Sequence, residues 1–103
     1  MPQEDAQSRY RSTSRIIFSI LECISRRSSH GRALKTHIIQ TANLKTPMAE
    51  RYLAMLVKAG YIEEKNGAWG ERTVTYYVLT PLGRERYVWF SKINAELYEE
   101  GEA

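Results

Sequence analysis

The sequence predicts an α+β fold that is mostly helical, with a three-helix core, a β-hairpin and a fourth helix. Apolar residues recur at helical spacing within the first 60 residues and again after Pro81. Between these parts, residues 61–80 are rich in β-branched and aromatic residues, which favour strands. The chain has 103 residues, of which 43% are hydrophobic and 26% charged. These values are typical of one soluble globular domain.

Several classes of function find no support in the sequence. No apolar run approaches the ~20 residues of a membrane span, and no signal peptide is evident, so we expect a cytoplasmic protein without membrane contact. Cys23 is the only cysteine, which excludes an internal disulfide and a cysteine-cluster metal site. Its place on the apolar face of the first helix predicts a thiol buried in the core. His30 and His37 lack partners at metal-ligand spacing. We therefore expect no enzyme activity, no cofactor and no metal, and we see no sign of a small-molecule effector.

The charge of the chain is divided unevenly along its length. Residues 1–60 contain ten Lys and Arg against four Asp and Glu, whereas residues 61–103 contain five against eight. The net charge of +3 for the whole chain does not show this uneven distribution. We expect the basic part to meet an acidic partner and the acidic C-terminal tail to point away from it.

Three helices are predicted in the first part. Residues 13–28 carry an apolar stripe, and residues 35–42 form a short second helix that stops at Asn43. The third helix starts at Pro47, with Thr46 as its N-terminal cap, and Gly60 ends it. Its inward face is predicted to comprise Ala49, Leu53, Leu56 and Val57. Leu44, in the turn between the second and third helices, is expected to plug the core.

Two strands and a fourth helix follow. Residues 61–66 and 73–80 are predicted strands, and residues 67–72 (GAWGER) are the predicted turn. Residues 32–34 are a candidate third strand. Trp69 is expected to pack back on the hairpin, with contact to a partner as the alternative. A helix from Pro81 to about residue 99 has one broad apolar side, made of Leu82, Trp89, Phe90, Ile93 and Leu97.

This order of elements predicts a winged helix-turn-helix domain in which the hairpin is the wing. We divide the chain into a flexible basic arm at residues 1–12, the winged-helix domain at residues 13–80, and a C-terminal dimerisation helix with an acidic tail at residues 81–103. The arm is expected either to lie across DNA or to bind a dimer partner.

Two segments resemble the small archaeal winged-helix DNA-binding regulators. They are KTHIIQTANLKTPMAERYLAMLVKAGYI and YYVLTPLGRE, and the resemblance covers about residues 16–85. The matching positions are Lys35, Thr36, Ala42, Asn43, Leu44, Tyr52, Leu53, Leu56, Gly60, Tyr61, Ile62, Tyr77, Leu79, Thr80 and Gly83. The resemblance implies DNA binding and transcriptional regulation. In one subgroup a long C-terminal helix pairs with its twin. Trp89 and Phe90 depart from clean heptads and imply a more globular contact here.

The third helix is expected to read bases, because the major groove admits an α-helix. Arg51 is the best candidate reader, since arginine can bond guanine with two hydrogen bonds. The alternative is that Arg51 pairs with Glu50 or another surface acid. Further candidates on this helix are Thr46, Met48, Glu50 and Lys58.

Phosphate contacts are expected from the start of the second helix, from the turn that follows it, and from the wing tip. The candidates are Lys35, Thr36, His37, Lys45, Lys65, Asn66 and Arg72. Arg26, Arg27 and Arg32 cluster near the end of the first helix and are interpreted as a solvated face. The dimer contact is expected at Trp89, Phe90, Ile93 and Leu97.

The sequence therefore predicts a dimeric, sequence-specific regulator that binds double-stranded DNA. A chromatin-type protein that binds DNA without sequence preference is one alternative, although the modest net charge disfavours it. A winged-helix module for protein interaction is another, because fold alone does not determine function.

Overall fold

Four α-helices and one three-stranded antiparallel sheet make up residues 13–99, the part of the chain that the computed structural model describes, with side chains described to residue 97. The helices are α1 (Thr13–Ser28), α2 (Lys35–Ala42), α3 (Thr46–Lys58) and α4 (Pro81–Asn94), and a π-helical turn (Ala95–Glu99) extends α4. The strands are β1 (Ala33–Leu34), β2 (Ile62–Trp69) and β3 (Arg72–Leu79), in the order β1-β3-β2. The predicted winged helix-turn-helix arrangement is confirmed. The predicted arm and residues 100–103 of the acidic tail lie outside the described residues.

The turn between α2 and α3 forms at the predicted positions. Asn43 adopts the left-handed conformation, with φ 56° and ψ 49°, and its N–H donates to the Gln40 carbonyl oxygen. The Leu44 N–H donates to the Ile39 carbonyl oxygen at 3.3 Å, so carbonyls at the end of α2 are satisfied. Leu44 packs against the core, as expected. This tight turn determines how α3 leaves the core.

The predicted start of α3 is wrong by one residue. Lys45, in extended conformation, occupies the capping position, and its carbonyl accepts the Ala49 N–H at 2.9 Å. Thr46 is therefore already helical, and no side chain caps this end. Pro47 does lie in the first turn, where its missing N–H costs nothing.

The hairpin is longer and its turn tighter than predicted. The strands pair continuously from Ile62 opposite Leu79 to Trp69 opposite Arg72, which leaves two residues, Gly70 and Glu71, in the turn. Residues 67–69 therefore belong to β2 and not to the turn. Gly70 has φ 65°, a conformation that suits the first central position of a two-residue hairpin turn. The candidate third strand is confirmed as β1, which pairs Ala33 with Tyr77.

Helix α1 lies at the centre of the core and packs against α2, α4 and the sheet. Its fully buried side chains are joined by others from α2, α3 and β2: Ile20, Leu21, Ile24, Ile38, Leu56 and Ile62. Cys23 is buried as a core thiol, as predicted. Val57 is an exception to the predicted inward face of α3, because its side chain is 37% exposed on the side toward β2.

Helix α4 starts where predicted but changes character near its end. Asn94 is buried, and its side-chain amide donates to the Phe90 carbonyl oxygen at 2.8 Å and to the Ser14 carbonyl oxygen at 3.4 Å. The Asn94 side-chain amide thus competes with backbone N–H groups of α4 for the Phe90 carbonyl oxygen. The π-helical turn begins directly after Asn94. Within residues 13–99, every helix falls short of the length and apolar character that a bilayer crossing demands.

We expect Gly83→Ala to destabilise the fold. Gly83 is buried in the first turn of α4, and a Cβ atom there would overlap the backbone carbonyl of Tyr61. Because a backbone group cannot swing aside as a side chain can, we expect a loss of about 2–3 kcal/mol in the free energy of unfolding. Urea denaturation would measure it. Ser91→Ala, at an exposed position of the same helix, is the control, and equal midpoints for the two variants would contradict the prediction.

Candidate nucleic-acid interface

The outward side of α3 is the centre of the candidate interface. The helix buries Ala49, Leu53 and Leu56, so that the opposite side of its surface faces solvent. That side carries two large apolar side chains and two cations, all exposed: Met48, Arg51, Met55 and Lys58. The predicted reading face is therefore accessible along the length of the helix.

Arg51 and Glu50 do not pair with each other. The Lys35 ammonium donates to the Glu50 carboxylate at 3.3 Å, which joins the start of α2 to α3. Within the described residues, the Arg51 guanidinium has no hydrogen bond and no ion pair. Glu50 is thus neutralised by its neighbour, while Arg51 is left available to an external acceptor.

The start of α2 presents backbone donors and two exposed or half-exposed polar side chains. Leu34 occupies the capping position and provides no side-chain hydrogen bond, so backbone N–H groups of the first turn are open to an acceptor. Lys35 is half-buried and Thr36 is exposed. Lys45, in the following turn, is also exposed.

His37 contributes a neutral group to this surface. Burial of the imidazole lowers its pKa below the ordinary value, and the nearby Arg27 guanidinium lowers it further. The Nδ1 atom of His37 is buried without a hydrogen-bond partner among the described residues. The lowered pKa favours the neutral imidazole, which can offer a phosphate a hydrogen bond but no positive charge.

The wing tip differs in composition from the prediction. Lys65 and Asn66 lie within β2, opposite Tyr76 and Thr75, and not at the tip. Lys65 pairs with Glu63 at 3.5 Å, and the Thr75 hydroxyl donates to the side-chain amide oxygen (Oδ1) of Asn66 at 3.1 Å.

Trp69 and Arg72 flank the actual turn and face each other across it. Trp69 is 58% exposed, so the expectation that it packs back on the hairpin is wrong. Because the turn has only two residues, Trp69 is the last residue of β2 and lies beyond the side chains of the core.

Arg32 is a brace for the wing that the sequence did not indicate. Its guanidinium donates to the Ala68 carbonyl oxygen at 3.1 Å and lies over the Tyr76 ring, 4.7 Å from the ring centre. A side chain at position 67 would displace it, because a Cβ atom on Gly67 would lie 2.6 Å from the Arg32 nitrogen. Arg32 is therefore not part of the predicted arginine cluster near the end of α1. Arg26, another predicted member of that cluster, pairs with Glu22 on α1. No local pattern reveals a contact between positions so far apart in sequence.

The apolar side of α4 is divided between core and surface. Phe90 is only 9% exposed and belongs to the core, so little of its side chain is available for the predicted dimer contact, which stays a prediction. Its neighbour Trp89 is 53% exposed, and the two rings meet edge to face at 5.1 Å. Leu97 is exposed and Ile93 half-buried, so that these two and Trp89 form a partly exposed apolar stripe.

Comparison with known proteins agrees with this architecture. A profile of winged helix-turn-helix proteins matches residues 10–97. Among solved structures, smu.1704 from Streptococcus mutans UA159 is 26% identical with a TM-score of 0.73, covering 85% of this chain and 82% of that chain. Sso10a-2, a DNA-binding protein from Sulfolobus solfataricus, is 29% identical with a TM-score of 0.58, covering 89% and 90% respectively. A search among curated proteins gave no match.

We expect Arg32→Ala to loosen the wing without unfolding the helices. The variant loses one hydrogen bond and one exposed cation–π contact, together about 1 kcal/mol, so amide exchange in the outer half of the hairpin should quicken by about fivefold. Hydrogen–deuterium exchange would measure this. Arg26→Ala, which removes an exposed arginine of α1, is the control, and an unchanged hairpin in Arg32→Ala would show that the brace contributes nothing.

Proposed function

The chain belongs to the winged helix-turn-helix family, and from this premise we propose that it binds double-stranded DNA sequence-specifically, as a dimer that regulates transcription. The observation that carries the proposal is the outward side of α3, where Arg51 is exposed and has no ion pair within residues 13–99, beside exposed methionines and Lys58. Membership alone would leave function open, because one fold serves many purposes. The similarity to a DNA-binding protein from Sulfolobus solfataricus supports the same proposal.

In the proposed complex, α3 enters the major groove and Arg51 bonds a guanine edge with two hydrogen bonds. Met48 and Met55 offer apolar contact with thymine methyl groups. Glu50 does not repel the phosphates as a free carboxylate would, because Lys35 neutralises it.

Phosphates are held from both sides of α3. The open N–H groups at the start of α2, with Thr36 and Lys45, bind the backbone on one side. Arg72 at the wing tip binds flanking backbone on the other side. Lys65 and Asn66, within β2, lie further from the flanking DNA than the tip does. These contacts position the protein and leave the base contacts of α3 to specify the sequence.

Dimerisation is proposed through Trp89, Ile93 and Leu97. Exposed aromatic and aliphatic side chains on one helix lose water-exposed surface when a second copy covers them. A two-fold dimer would bring two copies of α3 to successive major grooves, roughly 34–36 Å apart.

Selection of bound sequences from a random duplex pool, with molar mass measured in parallel, tests the proposal. A palindromic motif with half-sites one helical turn apart is the expected result. A pool that binds without any motif would replace the proposal with the chromatin-type alternative. If no DNA is retained, the interaction-module alternative replaces both.

We expect Arg51→Ala to weaken specific binding by about 1–3 kcal/mol and to relax the preference at one base pair. Binding assays on the selected site and on single-base variants of it would show both effects. Arg84→Ala removes an exposed arginine on α4 and is the control for charge alone. An equal loss on every sequence would reassign Arg51 to the phosphates.

We expect Trp89→Ala to shift the protein from dimer toward monomer while the fold is kept, because Trp89 is largely outside the core. Truncation of a central interface tryptophan commonly costs about 2 kcal/mol or more, which is roughly a thirtyfold increase in the dissociation constant. Sedimentation at several concentrations measures it. Trp69→Ala, at the wing tip, is the matched control, and an unchanged mass for Trp89→Ala would place the dimer contact elsewhere.

A further inference from the structure

A cleft of about 350 Å³ lies between α3 and the hairpin. One wall of the cleft consists of Leu53, Ala54 and Val57 from α3. The cleft is also lined by Glu64 of β2 and Tyr77 of β3. The Lys35–Glu50 pair and Lys58 complete the lining. Lys35, Glu50 and Lys58 also belong to the proposed DNA-binding surface, whereas Glu64 and Tyr77 line the cleft alone.

Tyr77 brings an unsatisfied hydroxyl group to the cleft. The residue is only 2% exposed and belongs to the core. Its hydroxyl has no hydrogen-bond partner among the described residues. Burial raises the pKa of Tyr77 to about 12, and the carboxylates of Glu64 and Glu50 add to the shift. Glu64 lies directly opposite Tyr77 in the strand register, and Glu50 lines the same cleft. The hydroxyl oxygen is not among the fully buried polar atoms, and because Tyr77 lines the cleft, this oxygen is available to bond a ligand there.

Glu64 is the carboxylate in the cleft that has no ion pair within residues 13–99. Glu50 is bound by Lys35, and Glu63, which points to the other face of the strand, is bound by Lys65. The uncommitted Glu64 carboxylate and the Tyr77 hydroxyl therefore provide two neighbouring acceptors for one donor group.

The wall opposite these acceptors is apolar, which explains the unexpected position of Val57. Its side chain is partly exposed because it faces the cleft and not the core. An aliphatic surface beside two acceptors suits a ligand that is apolar at one end and cationic at the other.

We propose that this cleft binds a small organic cation, an ammonium or amidinium group on a short aromatic or aliphatic body. One N–H of the cation donates to the Glu64 carboxylate and another to the Tyr77 hydroxyl oxygen. The body packs on Leu53, Ala54 and Val57. Lys35 and Lys58 also line the cleft, so a ligand with a second positive charge is disfavoured.

Isothermal titration calorimetry on the full chain tests the proposal, with 2-phenylethylammonium as the probe and 2-phenylethanol as its uncharged equivalent. We expect the ammonium to bind at least about tenfold more tightly than the alcohol, because its hydrogen bond to Glu64 is charge-assisted. Equal affinities, or no measurable binding of the ammonium, would overturn the proposal.

Three variants identify the cleft as the place of binding. Glu64→Gln and Tyr77→Phe should each weaken the ammonium at least about fivefold. Glu63→Gln, on the opposite face of the same strand, should leave it unchanged. If Tyr77→Phe fails to fold, Glu64→Gln decides, since Glu64 is exposed. Equal effects of Glu64→Gln and Glu63→Gln would show binding outside the cleft. The titration contains no DNA, so its outcome does not depend on the proposed function.

Discussion

The hydroxyl group of Thr80 joins the end of α3 to the start of α4, and the placement of the other elements depends on this junction. It donates to the Gly60 carbonyl oxygen at 2.6 Å and accepts the Gly83 N–H at 2.9 Å. The Thr80 N–H donates to the Tyr61 carbonyl oxygen at 3.0 Å. The first N–H groups of a helix have no intrahelical partner, and Thr80 satisfies one of them in α4 while it binds the Gly60 carbonyl oxygen just after α3. The chain can therefore pass from α3 through the hairpin and return to the same point.

Two surface contacts then orient the elements that this junction brings together. The ion pair between Lys35 and Glu50 joins α2 to α3, and Arg32 ties the strand before α2 to the hairpin. Exposed contacts of this kind add little to the free energy of unfolding. Their effect is geometric: they hold side chains of α2, α3 and the wing in fixed relative positions, and they leave the cleft open between α3 and β2.

The sequence predicted those features that local chemistry decides. Asn43 and Gly60 mark real boundaries and Pro47 lies within the first turn of α3, because a left-handed residue or a missing N–H acts within one turn of chain. The sequence could not decide which apolar residues face inward where two sides of a helix are apolar. Phe90 is buried and Trp89 exposed only because of how α4 lies on α1. For the same reason the roles of Arg32 and Tyr77 stayed hidden, since they depend on partners far along the chain.

The absence of a loop between β1 and α2 has a consequence for recognition. Leu34 ends the strand and also caps the helix, while Arg32, just before the strand, holds the hairpin. The open end of α2 and the wing are thus parts of one preorganised frame. The conformational entropy of arranging them is lost when the chain folds and not when a partner arrives. In the proposed complex, any misfit between this frame and a duplex must be taken up by the DNA, whose deformability depends on its sequence.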